Sequence, residues 1–351
     1  ACADDNPGTQ TAPWGTVAKA NRTLTAGDTV YLRAGTYAGE TIEPDNAGPS
    51  DAARITYTAW ADEVVTFTAS VYCVRLQETE YVTVRGLRFL DCERNLYVRA
   101  SHHNNIGDCT FDNPGGPVTW AGSRIYEGST YNRIHDSVFS RYGMETESGG
   151  AYDDTACVLD IGNDNAIDES DHNLVIRNTF FHGGHHVLGV YSNHNVVRGN
   201  TFHNENWYAC HRTALGGVCG NRNVILNTSF PEANVRNVLE DNVIAFSGVP
   251  ADQDSSTGLS VRTQRNIIRR NVFFHNDSSG LALTADGGNG NDPSRNHIYA
   301  NVFFHNGYPA ADDWDPLKSG LLLARWVDDA GHNPMTGVAI RNNVFHANQV
   351  H

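Results

Sequence analysis

The sequence predicts an all-β fold: a right-handed parallel β-helix, a solenoid, with a short N-terminal helical cap. Three observations carry this. The first is the segment Asn271-Val272-Phe273-Phe274-His275-Asn276, which returns as Asn301-Val302-Phe303-Phe304-His305-Asn306. Looser copies begin at Gly86, Asp108, Asp136, Asn178, Asn200, Asn242 and Asn343, so the leading positions stand 22, 28, 42, 22, 42, 29, 30 and 42 residues apart. A short unit repeated with variable insertions is how a solenoid reads in sequence. An interval of 42 is either nearly two turns or one turn carrying a long loop.

The second observation is a set of apolar triplets in phase with the first. They are Val74-Arg75-Leu76, Leu96-Tyr97-Val98, Leu159-Asp160-Ile161, Leu188-Gly189-Val190, Leu259-Ser260-Val261, Leu281-Ala282-Leu283 and Leu321-Leu322-Leu323. Apolar residues flanking one variable residue mark a strand with one buried face. Each turn therefore has at least two strands. The third observation is Asn and Gly at the corners. Asn tolerates left-handed dihedrals and can bond the backbone of the next turn, so the repeated Asn are expected to stack at a bend and the repeated Phe to stack inside.

In chain order, Pro13, Trp14, Val17 and Leu24 suit a short helix that covers the open end of the coil. Gly27-Asp28 turns into a strand from Thr29 to Leu32, and Gly35 makes the next corner. One domain is expected over 1–351, with cap and first strands in 1–40 and coils with loop insertions in 41–351. The insertions fall at 112–131, 140–156, 204–222, 246–256, 285–295, 307–319 and 326–336. The chain stops just after its last repeat with no evident C-terminal cap, so either the sequence ends early or the last coil is expected to be covered by another chain, an arrangement that would allow end-to-end self-association.

Composition narrows the function. The formal charge of −15 argues against nucleic acid and anionic membrane surfaces. Only Lys19 and Lys318 are lysines, so the basic residues are nearly all Arg. No apolar run is long enough for a membrane span, and no signal peptide is visible, so residue 1 is expected to follow a cleavage site or to begin part-way along a longer chain. Of the seven Cys, Cys210 and Cys219 are the first disulfide candidate. Cys73, Cys92 and Cys109 stand about a turn apart and either pair or stack as thiols.

The opening residues Gly8-Thr9, Pro13-Trp14, Gly27-Asp28-Thr29-Val30 and Gly35-Thr36-Tyr37 resemble the N-terminal segment of secreted β-helix proteins of the pectate-lyase-like superfamily. That resemblance implies an extracellular location and a polysaccharide partner. The superfamily holds lyases, hydrolases, epimerases and adhesins, so it does not fix the activity.

A β-helix fills its core with side chains, so chemistry belongs on an outer face. The outward positions of the triplet strands and their neighbours give Arg75, Tyr97, Arg99, Asp160, His185, His186, Tyr191 and Arg262, with Trp207 and Trp314 in nearby insertions. Aromatic faces stack on sugar rings and Arg pairs with carboxylates. The expected reaction is β-elimination on a uronate polymer. Arg262 or Arg99 would neutralise the carboxylate, and His185, His186 or Tyr191 would move protons beside Asp160. Related lyases use Ca²⁺ for neutralisation, which the resemblance allows through Asp160, Asp164 and Asp168. A cluster of His182, His185 and His186 is a weaker metal candidate. Two alternatives stay open. A glycoside hydrolase would pair Asp160 with Asp153, Asp154 or Asp164. A non-catalytic adhesive or structural protein would stack into filaments.

Overall fold

In the computed structural model, described for residues 2–112, 122–142, 157–163, 166–183, 186–204, 222–227, 235–247, 257–286, 291–307, 318–326 and 335–349, the strands form three parallel sheets. The first and second sheets have eleven strands each and the third has nine. One coil shows the plan: Val82–Arg85 lies in the first sheet, Arg88–Leu90 in the second and Arg94–Arg99 in the third. The next coil then returns to the first sheet at Asn105–Gly107. The coils wind as a right-handed parallel β-helix.

Each interval of 42 proves to be a single turn with an insertion. Val138 pairs with Thr179, Thr201 with Val243 and Val302 with Val344, each on adjacent strands of the second sheet. The coil has three strands per turn rather than two. The extra set, the first sheet, carries Ile106, Ile134, Val175, Val197, Leu239, Ile268 and Ile298, all fully buried.

Repeated residues stack as expected. Phe67, Phe89, Phe111, Phe139, Phe180 and Phe202 form an inner column with ring centroids 4.6–5.5 Å apart. Ile244 interrupts it before Phe273 and Phe303, which stack at 4.8 Å. In each Phe-Phe pair the first ring is buried and the second lies partly exposed on the outer side.

Asn178, Asn200, Asn242, Asn271 and Asn301, all buried, and the half-buried Asn343 form a ladder between the first and second sheets. Each Oδ1 accepts the backbone N–H of the preceding ladder residue, as Asn271 does from Asn242 at 3.0 Å. Each Nδ2 donates to a backbone carbonyl, as Asn242 does to Val197 at 3.0 Å. One expectation is corrected. The left-handed backbone falls one residue earlier, at Asp136, Arg177, Asp241, Arg270 and Ala300, and not at the Asn. An L-residue there costs about 1–2 kcal/mol. The Asn side chain is left to close the corner's otherwise unpaired backbone groups.

The N-terminal helix runs Val17–Thr23, with Thr16 as its N-cap accepting the Lys19 N–H. Val17, Ala20 and Leu24 are buried against the first coil. Pro13 and Trp14 precede the helix instead of starting it, and the Trp14 indole donates to the Asn6 carbonyl. Cys73 and Cys92 form a disulfide between adjacent coils. Cys109 remains a buried thiol, which burial pushes up to about 12. Cys210 and Cys219 lie outside the described residues.

Candidate active site on the outer face of the third sheet

In four third-sheet strands the second and third residues both face inward: Cys73-Val74, Asn95-Leu96, Val187-Leu188 and Asn223-Val224, all fully buried. That bend turns the residue before them outward together with the residue after them. Register then aligns three outer rows. The leading row holds Tyr72 beside Arg94, and later His186 beside Arg222. The middle row runs Arg75, Tyr97, Arg124, Asp160, Gly189, Ile225 and Ser260. The trailing row begins Gln77, Arg99, Tyr126. It continues through Gly162, Tyr191, Asn227 and Arg262, whose N–H groups bond Ile125, Ile161, Val190 and Leu226 of the coils before them.

At the centre of this face four side chains converge. His186 Nε2 is 2.8 Å from Asp160 Oδ1 and 3.3 Å from the Tyr191 hydroxyl. Its Nδ1 is 3.4 Å from Cys157 Sγ. Relative exposures of 2% for His186, 6% for Asp160, 5% for Tyr191 and 2% for Cys157 put all four in a low-dielectric setting. Gly189 makes the space. A Cβ there would stand 2.4 Å from Asp160 Oδ1 and 2.6 Å from both His186 Nε2 and the Tyr191 ring.

Arg222 stands beside His186 in register, and Arg262, two coils beyond Tyr191 in the trailing row, acts on the Arg222 charge. Burial first, then the Arg262 charge, pushes the Arg222 guanidinium down to about 10, with Tyr191 acting against that. Among the described residues Arg222 has no ion-pair partner. A guanidinium whose charge is disfavoured by burial and by a neighbouring Arg is what an anionic ligand would stabilise.

Upstream coils add a Tyr and Arg strip. The rings of Tyr72 and Tyr97 stand 4.8 Å apart and those of Tyr97 and Tyr126 5.2 Å, with the latter pair's hydroxyls in contact. Arg75 lies over Tyr72, Arg94 over Tyr97 and Arg124 over Tyr126. Arg75 is also paired with Glu43 at 2.9 Å, and Arg99 with Glu127 at 2.7 Å.

The structure thus brings Asp160, His186, Tyr191 and Arg262 to one face, with Tyr97, Arg75 and Arg99 farther along it. His185, Trp207, Trp314 and Asp164 lie outside the described residues. Asp168 is not drawn into the Asp160 cluster. Its oxygens instead accept the backbone N–H groups of Glu127, Gly128 and Ser170. The triplet reading missed Tyr72, Arg94, Cys157 and Arg222, which stand two residues before an apolar pair or triplet, and also Arg124 and Tyr126 on a strand it did not recognise.

No curated protein matches the chain. Solved structures share its fold. An alginate lyase from Paenibacillus sp. strain FPU-7 superposes with a TM-score of 0.54 at 13% identity, over 96% of this chain and 97% of that one. A mannuronic acid specific polysaccharide family 6 lyase from human gut microbiota gives 0.56 at 15%, over 94% and 79%. A tailspike protein of E. coli bacteriophage HK620, in complex with a pentasaccharide, gives 0.53 at 12%, over 94% and 57%. At these identities the likeness shows the fold, a parallel β-helix. No helix among the described residues is long and apolar enough to cross a membrane. The family model described as periplasmic copper-binding protein (NosD) matches residues 140–345, more than half of the sequence, and the chain belongs to that family.

Proposed function

We propose that the protein is a polysaccharide lyase that cleaves a uronate-containing polymer by β-elimination on the outer face of the third sheet. One observation carries this: Arg222, beside His186 in register and close enough to Arg262 to feel its charge, shares a face with Tyr191 and Asp160, which both meet His186 Nε2. Elimination needs both parts. The guanidinium pair takes the sugar carboxylate and stabilises the charge that develops on it when the α-proton leaves. The His186 Nε2–H, shared between Asp160 and the Tyr191 oxygen, steadies Tyr191 as the phenolate once its proton has passed to solvent. Tyr191 then removes the α-proton, the electron pair forms the ring double bond, and the glycosidic C–O bond breaks. The leaving oxygen takes back a proton from Tyr191.

The strip of Tyr72, Tyr97 and Tyr126, with Arg94 and Arg124 between them, would carry further sugars along the axis. In this account Arg222 and Arg262 neutralise the carboxylate, the role that Ca²⁺ would otherwise fill. The fold shared with alginate and mannuronic acid lyases supports the substrate class, and the family's periplasmic description supports action outside the cytoplasm. A hydrolase would need a second carboxylate at a fixed distance. Its candidates Asp153, Asp154 and Asp164 lie outside the described residues.

The test is a pair of variants. Asp160→Ala and Arg262→Ala should each abolish release of unsaturated products while circular dichroism stays that of the native protein. Full activity in both would remove this site.

A further inference from the structure

Round the corner from the Tyr97 and Tyr126 strip, the outer face of the first sheet carries a pocket of about 400 Å³. That volume falls in the range of about 300–1,000 Å³ typical of small-ligand sites. We infer that the pocket is a second, non-catalytic carbohydrate site, which holds an acidic sugar unit by its carboxylate. Its floor is the row Asn105, Arg133 and Leu174, in register on adjacent strands. Asp51 and Arg54 lie at one end, and His103 and Tyr131 stand along the side.

Arg133 is the group that calls for a ligand. Its Nε is buried and meets no acceptor, and no carboxylate among the described residues pairs with its guanidinium. A planar fork left in that state suits a bound carboxylate. The pocket's side is held in place. Tyr81, His103 and Tyr131 take left-handed backbone at φ of 53°, 55° and 57°, and their rings stack nearly parallel at 4.8 and 5.0 Å. Arg54 caps this column, 5.4 Å over the Tyr81 ring, while paired with Asp51. With both faces of His103 covered, its polar edge is what a ligand meets. Asp51 brings acceptor oxygens, as does Asn105, whose Oδ1 already meets His135 Nε2 at 3.0 Å. Such acceptors suit hydroxyl donors and work against a phosphate dianion. Leu174, 37% exposed beside Arg133, adds an aliphatic patch. A guanidinium, acceptors and an apolar patch together match a ring with one carboxylate, several hydroxyls and a C–H face. The ligand's class follows from this lining and does not depend on the lyase reading. On that reading the pocket would hold a stretch of polymer beside the face that cleaves it.

The experiment follows the Leu174 methyl and Tyr131 ring signals of the native protein by NMR. D-glucuronate, D-galacturonate and D-mannuronate are each titrated, with D-glucose and inorganic phosphate as controls. At least one uronate should move both signals to saturation, and neither control should do so at the same concentration. Arg133→Gln should weaken binding about 10-fold or more. Leu174→Asp, read on the Tyr131 ring, should abolish it by setting a like charge beside the carboxylate. Arg222→Met, on the other face, should leave the Leu174 response as in the native protein. Thermal unfolding of each variant confirms that it folds. A flat response to every uronate, native-like binding by either pocket variant, an equal response to glucose or phosphate, or loss of the Leu174 response in Arg222→Met would each overturn the proposal. None of these signals depends on cleavage, so failure of the lyase reading would leave the test standing.

Discussion

Asp160 Oδ1 stands 2.8 Å from His186 Nε2 because Asp160 is in register with Gly189, a residue that puts nothing between them. The contact crosses two coils, and a methyl group at position 189 would occupy it. Gly189→Ala should therefore displace the carboxylate from the imidazole while the coil stays folded. Misplacing a proton-transfer group by about 1 Å costs about 100-fold in rate. Steady-state kinetics on a uronate polymer should show that loss in kcat, with unfolding nearly unchanged. Native kcat would refute the role given to the pair.

Arg222 carries an opposing prediction. Its charge is disfavoured by burial and by Arg262, so the folded state bears a cost that ligand binding would relieve. Replacing a poorly compensated buried charge with an apolar residue of similar length is commonly neutral or stabilising by about 1–4 kcal/mol. Arg222→Met should raise Tm by about 2 °C or more and eliminate activity. A lower Tm would mean that the guanidinium supports the fold.

Glu240 anchors a different part of the coil. It is 1% exposed and bonds Arg198 at 2.5 Å, Arg269 at 2.6 Å and Arg270 at 2.9 Å. Burial pushes its carboxyl up, but the bonds from Arg269 and Arg198 outweigh this and hold it below the usual range. A depressed folded-state pKa means a contribution fully present above the unfolded value and lost as pH falls through the folded one. Stability should therefore drop below about pH 4.3. Glu240→Gln should cost about 3 kcal/mol at neutral pH and flatten that acid limb. An unchanged pH profile of Tm would count against the network.

The Asn ladder yields a mutation whose cost reaches two neighbouring coils. Asn242 Oδ1 accepts both the backbone and side-chain N–H of Asn200, and its Nδ2 bonds the Val197 carbonyl. Asn242→Ala leaves these buried groups without partners, at about 1–3 kcal/mol for each that water cannot reach. Chemical denaturation should show a loss of about 2–4 kcal/mol. A loss under about 0.5 kcal/mol would mean that the ladder is packing alone.

Much of this was legible in the sequence. Phe273 and Phe303 recur with identical neighbours, and so betray both the coil and its inner column. Alternation in the triplets correctly put Tyr97, Asp160 and, one residue beyond its triplet, Tyr191 on the outside. What hid Tyr72, Arg94, Cys157 and Arg222 is the bend just after them. There two successive residues face inward and the period of two breaks, so simple alternation does not reach the residue before. Arg222 had a further screen, because its strand follows a long insertion and reads Asn223-Val224-Ile225-Leu226 with no polar residue after the Asn. The convergence of Cys157, Asp160, His186 and Tyr191 depends on coil register, and only the folded chain states it.

The most direct measurement is absorbance of unsaturated products in the ultraviolet, followed with new reducing ends, as the protein is incubated with uronate polymers and with neutral glycans. The account predicts that both signals rise together on a uronate polymer, that neutral glycans stay intact, and that Tyr191→Phe is silent. Reducing ends without absorbance, or no product from any uronate polymer, would contradict it.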